Sequence, residues 1–444
     1  MFKMLFIAII IIVLLIPLFL IRAVISEREQ RRNDAVYEVS EKWGGPQTIA
    51  GPIIAIPYTF YFTDDEKKNV MKRTEFMQFL PEQLNIASEI QEEIRSRGIF
   101  DIVVYTLSLT MNGRFNALPI DELQIPKEDV LWIDAALIMS ITDMRGLQDG
   151  ASVTLNGDKR LFEPGPVHTT LFASGIHVNL PDLQDFAGGL TDFEITMRLR
   201  GNDRLYFTPV GRNTRVQTAS SWPDPSFIGA YLPLEHAISP EGFQAQWQIS
   251  HLSRNYPQFW KTENTDISLL SGSLYQSVFG VELFLSVDHY HLIMRSVKYA
   301  ILFILLTFAV FFLFEMMSEL RIHPFQYLLI GFAMSLFYLL LLSLSEHLPF
   351  TPSYIIAAAA MISLIVGYSS SILVQKKRTM LISGLLVLLY ACLYILLRLE
   401  DYALLFGTIV LVTVLALIMF LTRKIDWYTV RLNRSQREPR DKAR

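Results

Sequence analysis

Two groups of residues in this chain of 444 have types and spacings that could do chemistry, and both lie beside apolar runs. The first is Asp288-His289-Tyr290-His291. Alternate residues of a strand share a face, so His289 and His291 would offer two imidazoles to one metal ion. A tetrahedral ion needs more, and the other ligands would have to come from His168, His177, His236 or His251. Histidines beside a membrane surface explain the pair more simply, and no metal site is assigned. The second group is charge at the ends of apolar runs, where it is costly and defaults to a functional candidate. Glu315 has Arg321 and His323 around the next turn, while Glu346 and His347 end a run opposite Arg295 and Lys298. Antiparallel neighbours would join each set into an interfacial ion-pair cluster holding the second and third spans in register.

Chemistry beyond that finds little support. No acidic or basic residue occupies the middle of a run, and Gly331, Gly367, Gly384 and Gly407 stand singly. Helix packing accounts for such glycines better than the broken helices of a transport path. H-E-x-x-H, G-x-S-x-G and P-loop patterns are absent from the sequence. We therefore assign no catalytic, cofactor-binding or metal-binding residue, and expect no cofactor and no enzyme.

The elements that position these residues are membrane spans. Five apolar runs lie between Tyr299 and Leu421 and one more, Leu5 to Ile21, opens the chain. Each approaches the ~17–25 residues that a helix needs to cross a bilayer. The opening run is read as an uncleaved anchor, since the segment before it is weakly basic and no A-x-A-like site follows it. The expected organisation is a transmembrane anchor over 1–22, a polar domain over 23–298 and five spans over 299–422 (about 299–317, 325–344, 354–374, 379–397 and 402–421). A basic tail follows over 423–444.

Charge sets the orientation. Residues 23–298 carry 24 Lys plus Arg against 35 Asp plus Glu, a net of −11, whereas 423–444 carry eight basic against three acidic residues, a net of +5. The tail, the loop Gln375-Lys376-Lys377-Arg378 and the gap with Arg321 are the basic segments, and such segments stay cytoplasmic. The gaps Ser345–Ser353 and Arg398–Asp401 would then face outwards, as would the whole of 23–298, leaving both termini in the cytoplasm. Arg22, Arg28, Arg31 and Arg32 point the other way locally, so an inverted chain is the alternative. Tyr299, Tyr354, Tyr402, Trp427 and Tyr428 suit the headgroup level. The tail suits anionic lipid and offers no folded module for nucleic acid. The lone cysteine, Cys392, lies in the fifth of these runs, so the polar domain must be held by burial alone.

Within that domain, short β-branched and aromatic runs alternate with turn residues. Gln47–Phe62 is predicted to pair with Phe76–Ile86. Turns are predicted at Asn112-Gly113, Asn156-Gly157-Asp158 and Gly201-Asn202-Asp203, because Asn and Gly accept positive φ. Pro81–Arg95 is a candidate helix, and Ser220–Ser226 reads as a loop. The fold class is an α+β membrane protein with an antiparallel, sandwich-like β domain between the anchor and the five-helix bundle.

The stretches RIHPFQYLLIGFAMSLFYLLLLSLSEH (Arg321–His347), FGVELFLSVDHYHLIMRSVKYAILFILLTFAVFFLFE (Phe279–Glu315), RGIFDIVVYTLSLTMNGRF (Arg97–Phe115) and GPIIAIPY (Gly51–Tyr58) form a long ordered set. Together they resemble the CreD family of bacterial inner-membrane proteins, also described as cell-envelope integrity or colicin-tolerance proteins. The resemblance runs nearly end to end. It implies an inner-membrane protein under envelope-stress or nutrient-linked two-component control whose loss or excess alters envelope properties, and it carries over no reaction and no catalytic residue. Three roles follow as expectations: a stress-adaptation protein whose outer domain binds lipid, peptidoglycan or another protein, a transporter or lipid-handling protein, and a sensor acting through a partner. The first is preferred, and no oligomeric state is assigned.

Overall fold

The computed structural model describes residues 2–63, 70–165, 171–283, 289–318, 322–373, 376–399 and 402–423. The chain forms two compact units, one from Met1–Arg28 with Val287–Arg444 and one from Glu29–Ser286. Among the described residues, six helices are long and apolar enough to cross a membrane.

The first, α1 (Phe2–Trp43), does not stop at residue 22. No Gly or Pro interrupts it after Pro17, and Glu, Arg and Gln are good helix formers, so nothing local ends it. It ends at Gly44, whose φ of +134° only glycine adopts without strain and whose N–H bonds Ser40 O at 2.9 Å. In the first unit it buries Ile10, Leu14, Leu18, Ile21 and Ile25, one stripe at helical spacing.

Among the described residues, seventeen strands and two short α-helices make the second unit. In chain order they are β1 (Gln47–Thr63), β2 (Val70–Phe79), β3 (Gln83–Arg97), β4 (Phe100–Phe115), β5 (Ala136–Ile141), β6 (Ser152–Leu155), β7 (Asp158–Leu161), β8 (Glu163–Pro164) and β9 (Gly175–Asn179). Helix α2 (Leu183–Phe186) precedes β10 (Thr191–Asn202), β11 (Arg204–Phe207), β12 (Asn213–Ser220), β13 (Pro225–Gly229), β14 (Glu235–Ser239), β15 (Gly242–Ser250) and β16 (Phe259–Lys261), and α3 (Ile267–Gln276) precedes β17 (Phe279–Leu283). One sheet runs β13-β17-β11-β1-β5-β9-β8, with β2 beside β1 and β16 beside β2, and the other runs β14-β15-β12-β3-β4-β10-β6-β7. Their facing side chains share one core, with Ile49, Ile53 and Phe207 from the first sheet and Leu84, Leu107, Ile195 and Trp247 from the second. Pairing is mostly antiparallel, but β1 with β11 and β3 with β12 are parallel.

Two local expectations fail here, and a third holds only in part. Pro81–Arg95 is not helical: β3 pairs along its length with β4 and in parallel with β12. Leu84, Ile86, Ser88 and Ile90 are buried while Ala87, Glu89 and Gln91 are exposed, a two-residue period that tertiary pairing imposes over helix-forming composition. Asn112-Gly113 is not a turn, because β4 runs straight through it. A Cβ at Gly113 would fall 2.0 Å from Gln83 O and 2.8 Å from the Phe193 ring, so close approach rather than chain reversal calls for this glycine. Gly201-Asn202-Asp203 does turn, with Asp203 at φ +59°, but it passes the chain from one sheet to the other instead of closing a hairpin. Asn156-Gly157 makes the tight β6–β7 hairpin, with φ of +47° and +98°.

The remaining helices of the first unit are α4 (His289–Ser318), α5 (Pro324–Ser345), α6 (Phe350–Leu373), α7 (Lys376–Arg398) and α8 (Ala403–Thr422). Gly331 of α5 meets the Leu14 side chain, to which an added Cβ would come within 2.2 Å, so α1 seats a knob in a gap that glycine leaves.

Candidate functional site

At the C-terminal end of α5 the charged residues form a different arrangement from the one expected. Glu346 caps the C-terminus of α5, and its carboxylate lies 3.4 Å from Arg28 Nε of α1. Arg295 instead donates to Leu399 O at 3.3 Å, and Lys298 is exposed. The missed signal was periodicity: Arg28 stands three residues beyond Ile25 on the buried stripe of α1, so the helical repeat carries it to the same side. Glu315 accepts a hydrogen bond from the Tyr327 hydroxyl at 3.3 Å. Arg321 lies outside the described residues. His323 serves as the N-cap of α5: its Nδ1 accepts from Phe325 N at 3.2 Å, and Gln326 Oε1 accepts from His323 N at 2.9 Å, a reciprocal capping box.

The histidines do not assemble into a metal site among the described residues, where no group of three or more His, Cys, Asp or Glu is poised for an ion. His168 and the His289 side chain lie outside those residues. His177 sits on β9 with Nδ1 2.6 Å from Gly165 O, His236 is on the edge strand β14 against the Phe227 ring, and His251 follows β15.

Inside the helical unit several hydroxyls are satisfied by their own helices: Ser296 donates to Ile293 O, Thr307 to Phe303 O and Ser335 to Gly331 O. The space ringed by Phe303, Thr307, Met334, Tyr338, Leu386 and Tyr390 is about 10 Å³, room for one water at most. Tyr354 is not an interfacial anchor, because it is 3% exposed and its hydroxyl donates to Tyr390 O at 2.7 Å. Tyr402 is exposed at the start of α8.

A larger space, 540 Å³, is the groove between α6 and α7. Ala358, Ala359 and Ala391 keep it open, and Tyr354 and Tyr390 lie along it. At one end, Arg398 Nη2 donates to Thr351 Oγ1 at 2.7 Å and Arg398 Nε to the Tyr394 hydroxyl at 3.3 Å, while those two hydroxyls are 3.0 Å apart.

The β unit carries its own concavity, a trough of 680 Å³ on the solvent face of the eight-stranded sheet. Glu89, Ser108, Thr110, Gln217, Gln244 and Gln246 line it, and Gln217 Nε2 donates to Gln246 Oε1 at 3.1 Å. Alternation builds this surface: the partners of these residues along β3, β4, β12 and β15 point into the core. The lining sets hydroxyl, amide and carboxylate groups among Ala87, Ala219, Ala237 and Ala245, so its hydrogen-bonding partners stand on a partly apolar floor.

The same unit fixes the end of α1. Trp43 lies between guanidiniums, with Arg95 3.7 Å and Arg200 4.3 Å from its ring centroid, and its Nε1 donates to Tyr105 O at 3.3 Å. Ala35 packs with Ile102 and Val104, and Asn202 donates to Ser40 Oγ at 2.5 Å. Asp143 accepts from Gly45 N at 2.8 Å and takes three hydrogen bonds from Arg145, one from its backbone N–H and two from its guanidinium, which also donates to Glu41 O. Burial pushes the Asp143 carboxyl up, but Arg145 and the Gly45 N–H together hold it below the usual value. Asp203 goes the other way, raised chiefly by burial.

Six apolar helices and a large two-sheet β unit define a multi-pass membrane protein with a substantial extramembrane domain. The family model described as "Inner membrane protein CreD" matches residues 1–428. Inner membrane protein CreD of Escherichia coli strain K12 is 37% identical over 426 residues, covering 95% of this chain and 92% of that protein. The chain belongs to the CreD family of inner membrane proteins.

Proposed function

We propose that this protein is a non-enzymatic envelope-integrity protein whose β unit faces the periplasm and binds an envelope component there. The polar trough is the observation that carries the reading. Besides four alanines, the 680 Å³ concavity carries Ser, Thr, Gln and Glu on regular strands, which offer fixed hydrogen-bonding partners to a polar polymer such as peptidoglycan. The orientation is supported by the basic residues of 423–444 and 376–378 against the net −11 of 23–298. Arg28, one of the basic residues that break the local charge rule, is neutralised by Glu346, which weakens that exception.

The test is photo-crosslinking in living cells from Gln217 and Gln244 in the trough, with Asp224 as a control outside it. Peptidoglycan fragments captured at the first two positions but not the third support the reading. Equal capture at all three removes the trough as the binding surface, and capture of one protein instead would assign it to that partner. A lipid-handling role is favoured by one observation, the groove between α6 and α7.

A further inference from the structure

We propose that the groove between α6 and α7 holds one anionic phospholipid, its phosphate on Arg398 and one acyl chain along Ala358, Ala359 and Ala391. Both walls belong to membrane-spanning helices, so hydrocarbon is what meets the apolar part of the groove. Its 540 Å³ lies within the range of ~300–1,000 Å³ typical of small-ligand sites. The polar end lies where α6 begins at Phe350 and α7 ends at Arg398, the level at which headgroups sit.

Charge then selects the lipid. A guanidinium stays ionised and presents a fork of donors that fits phosphate oxygens. Thr351 and Tyr394 take two of those donors and hold the fork in place, leaving the rest, with a hydroxyl proton, for a ligand. Among the described residues no carboxylate forms an ion pair with Arg398. A net-negative headgroup balances that charge, whereas phosphatidylethanolamine brings an ammonium of its own. This proposal stands apart from the role of the β unit, and the two experiments fail separately.

Native mass spectrometry of the full-length protein, with phosphatidylglycerol and phosphatidylethanolamine of the same acyl chains, tests it. One phosphatidylglycerol per chain should be retained, about fivefold over phosphatidylethanolamine. Arg398→Gln should bring that preference close to unity, and Arg398→Lys should keep most of it. Ala359→Phe should fill the groove and release both lipids, whereas Ile395→Phe, on the exposed side of α7, should release neither. No preference in the unmodified protein overturns the proposal, including the case in which Glu400 or Asp401, next in sequence, already neutralises Arg398. Retention untouched by Ala359→Phe shows an annular lipid only, and a dimer split by that substitution assigns the groove to a second copy. Either result also overturns the proposal.

Discussion

The guanidinium of Arg28 lies 3.4 Å from the carboxylate of Glu346, joining the end of the buried stripe of α1 to the C-terminus of α5. A carboxylate there opposes the helix dipole, and Glu346 is only 12% exposed, so the cation compensates an otherwise unfavourable charge. Arg28→Ala should therefore cost ~2 kcal/mol by leaving that charge unpaired, and Glu346→Gln should cost less because it removes the charge itself. Thermal unfolding in detergent reads the difference. Equal losses would contradict a compensating role for Arg28.

Leu14 and Gly331 set the approach of α1 to α5. Gly331→Leu would drive a side chain into the space that Leu14 fills, and overpacking of this kind costs about 1–3 kcal/mol. Adding Leu14→Ala should recover part of the loss in a double-mutant cycle, because one residue vacates what the other occupies. Additive losses would place the clash elsewhere.

Trp43→Ala removes an indole stacked on Arg95 and Arg200 and should lower the stability of the β unit by ~2 kcal/mol. Trp43→Phe keeps a ring face and should recover about half. Amide exchange should rise over residues 35–43 in the alanine variant and stay unchanged in β13, an edge strand of the other sheet. A uniform rise would deny the indole a local anchoring role.

Asp182 gives a pH dependence. The hydrogen bond from Arg160 at 2.5 Å holds its carboxyl below the usual value, and Asp143 is held low too. A folded pKa below the unfolded one contributes stability above the unfolded pKa of ~3.9, and that stability is lost as pH falls through the folded value. Tryptophan fluorescence melts between about pH 5 and pH 3 should therefore show a steeper loss in the unmodified protein than in Asp182→Asn. Parallel curves would remove Asp182 from the acid response.

Hydropathy alone made the membrane helices legible, because apolar length is a local property. The Asn156-Gly157 hairpin was legible too, since both residues take the positive φ that the turn needs. Residues 83–97 were not, because Glu, Gln and Ala favour a helix and only pairing with β4 and β12 makes them a strand. Gly113 misled because a glycine needed for close approach and one needed for a turn look the same in a sequence. At the helix ends Glu346 stood out by type, while Arg28 was hidden: it comes from a distant helix, and only the spacing of Leu14, Leu18, Ile21 and Ile25 points to it.

The account depends most on the β unit lying outside the inner membrane. A single cysteine at Asn156, exposed in the β6–β7 turn, in a Cys392→Ser background, reports this directly through a membrane-impermeant maleimide. The account predicts labelling in cells whose outer membrane alone has been permeabilised. Labelling only after the inner membrane is broken would contradict it.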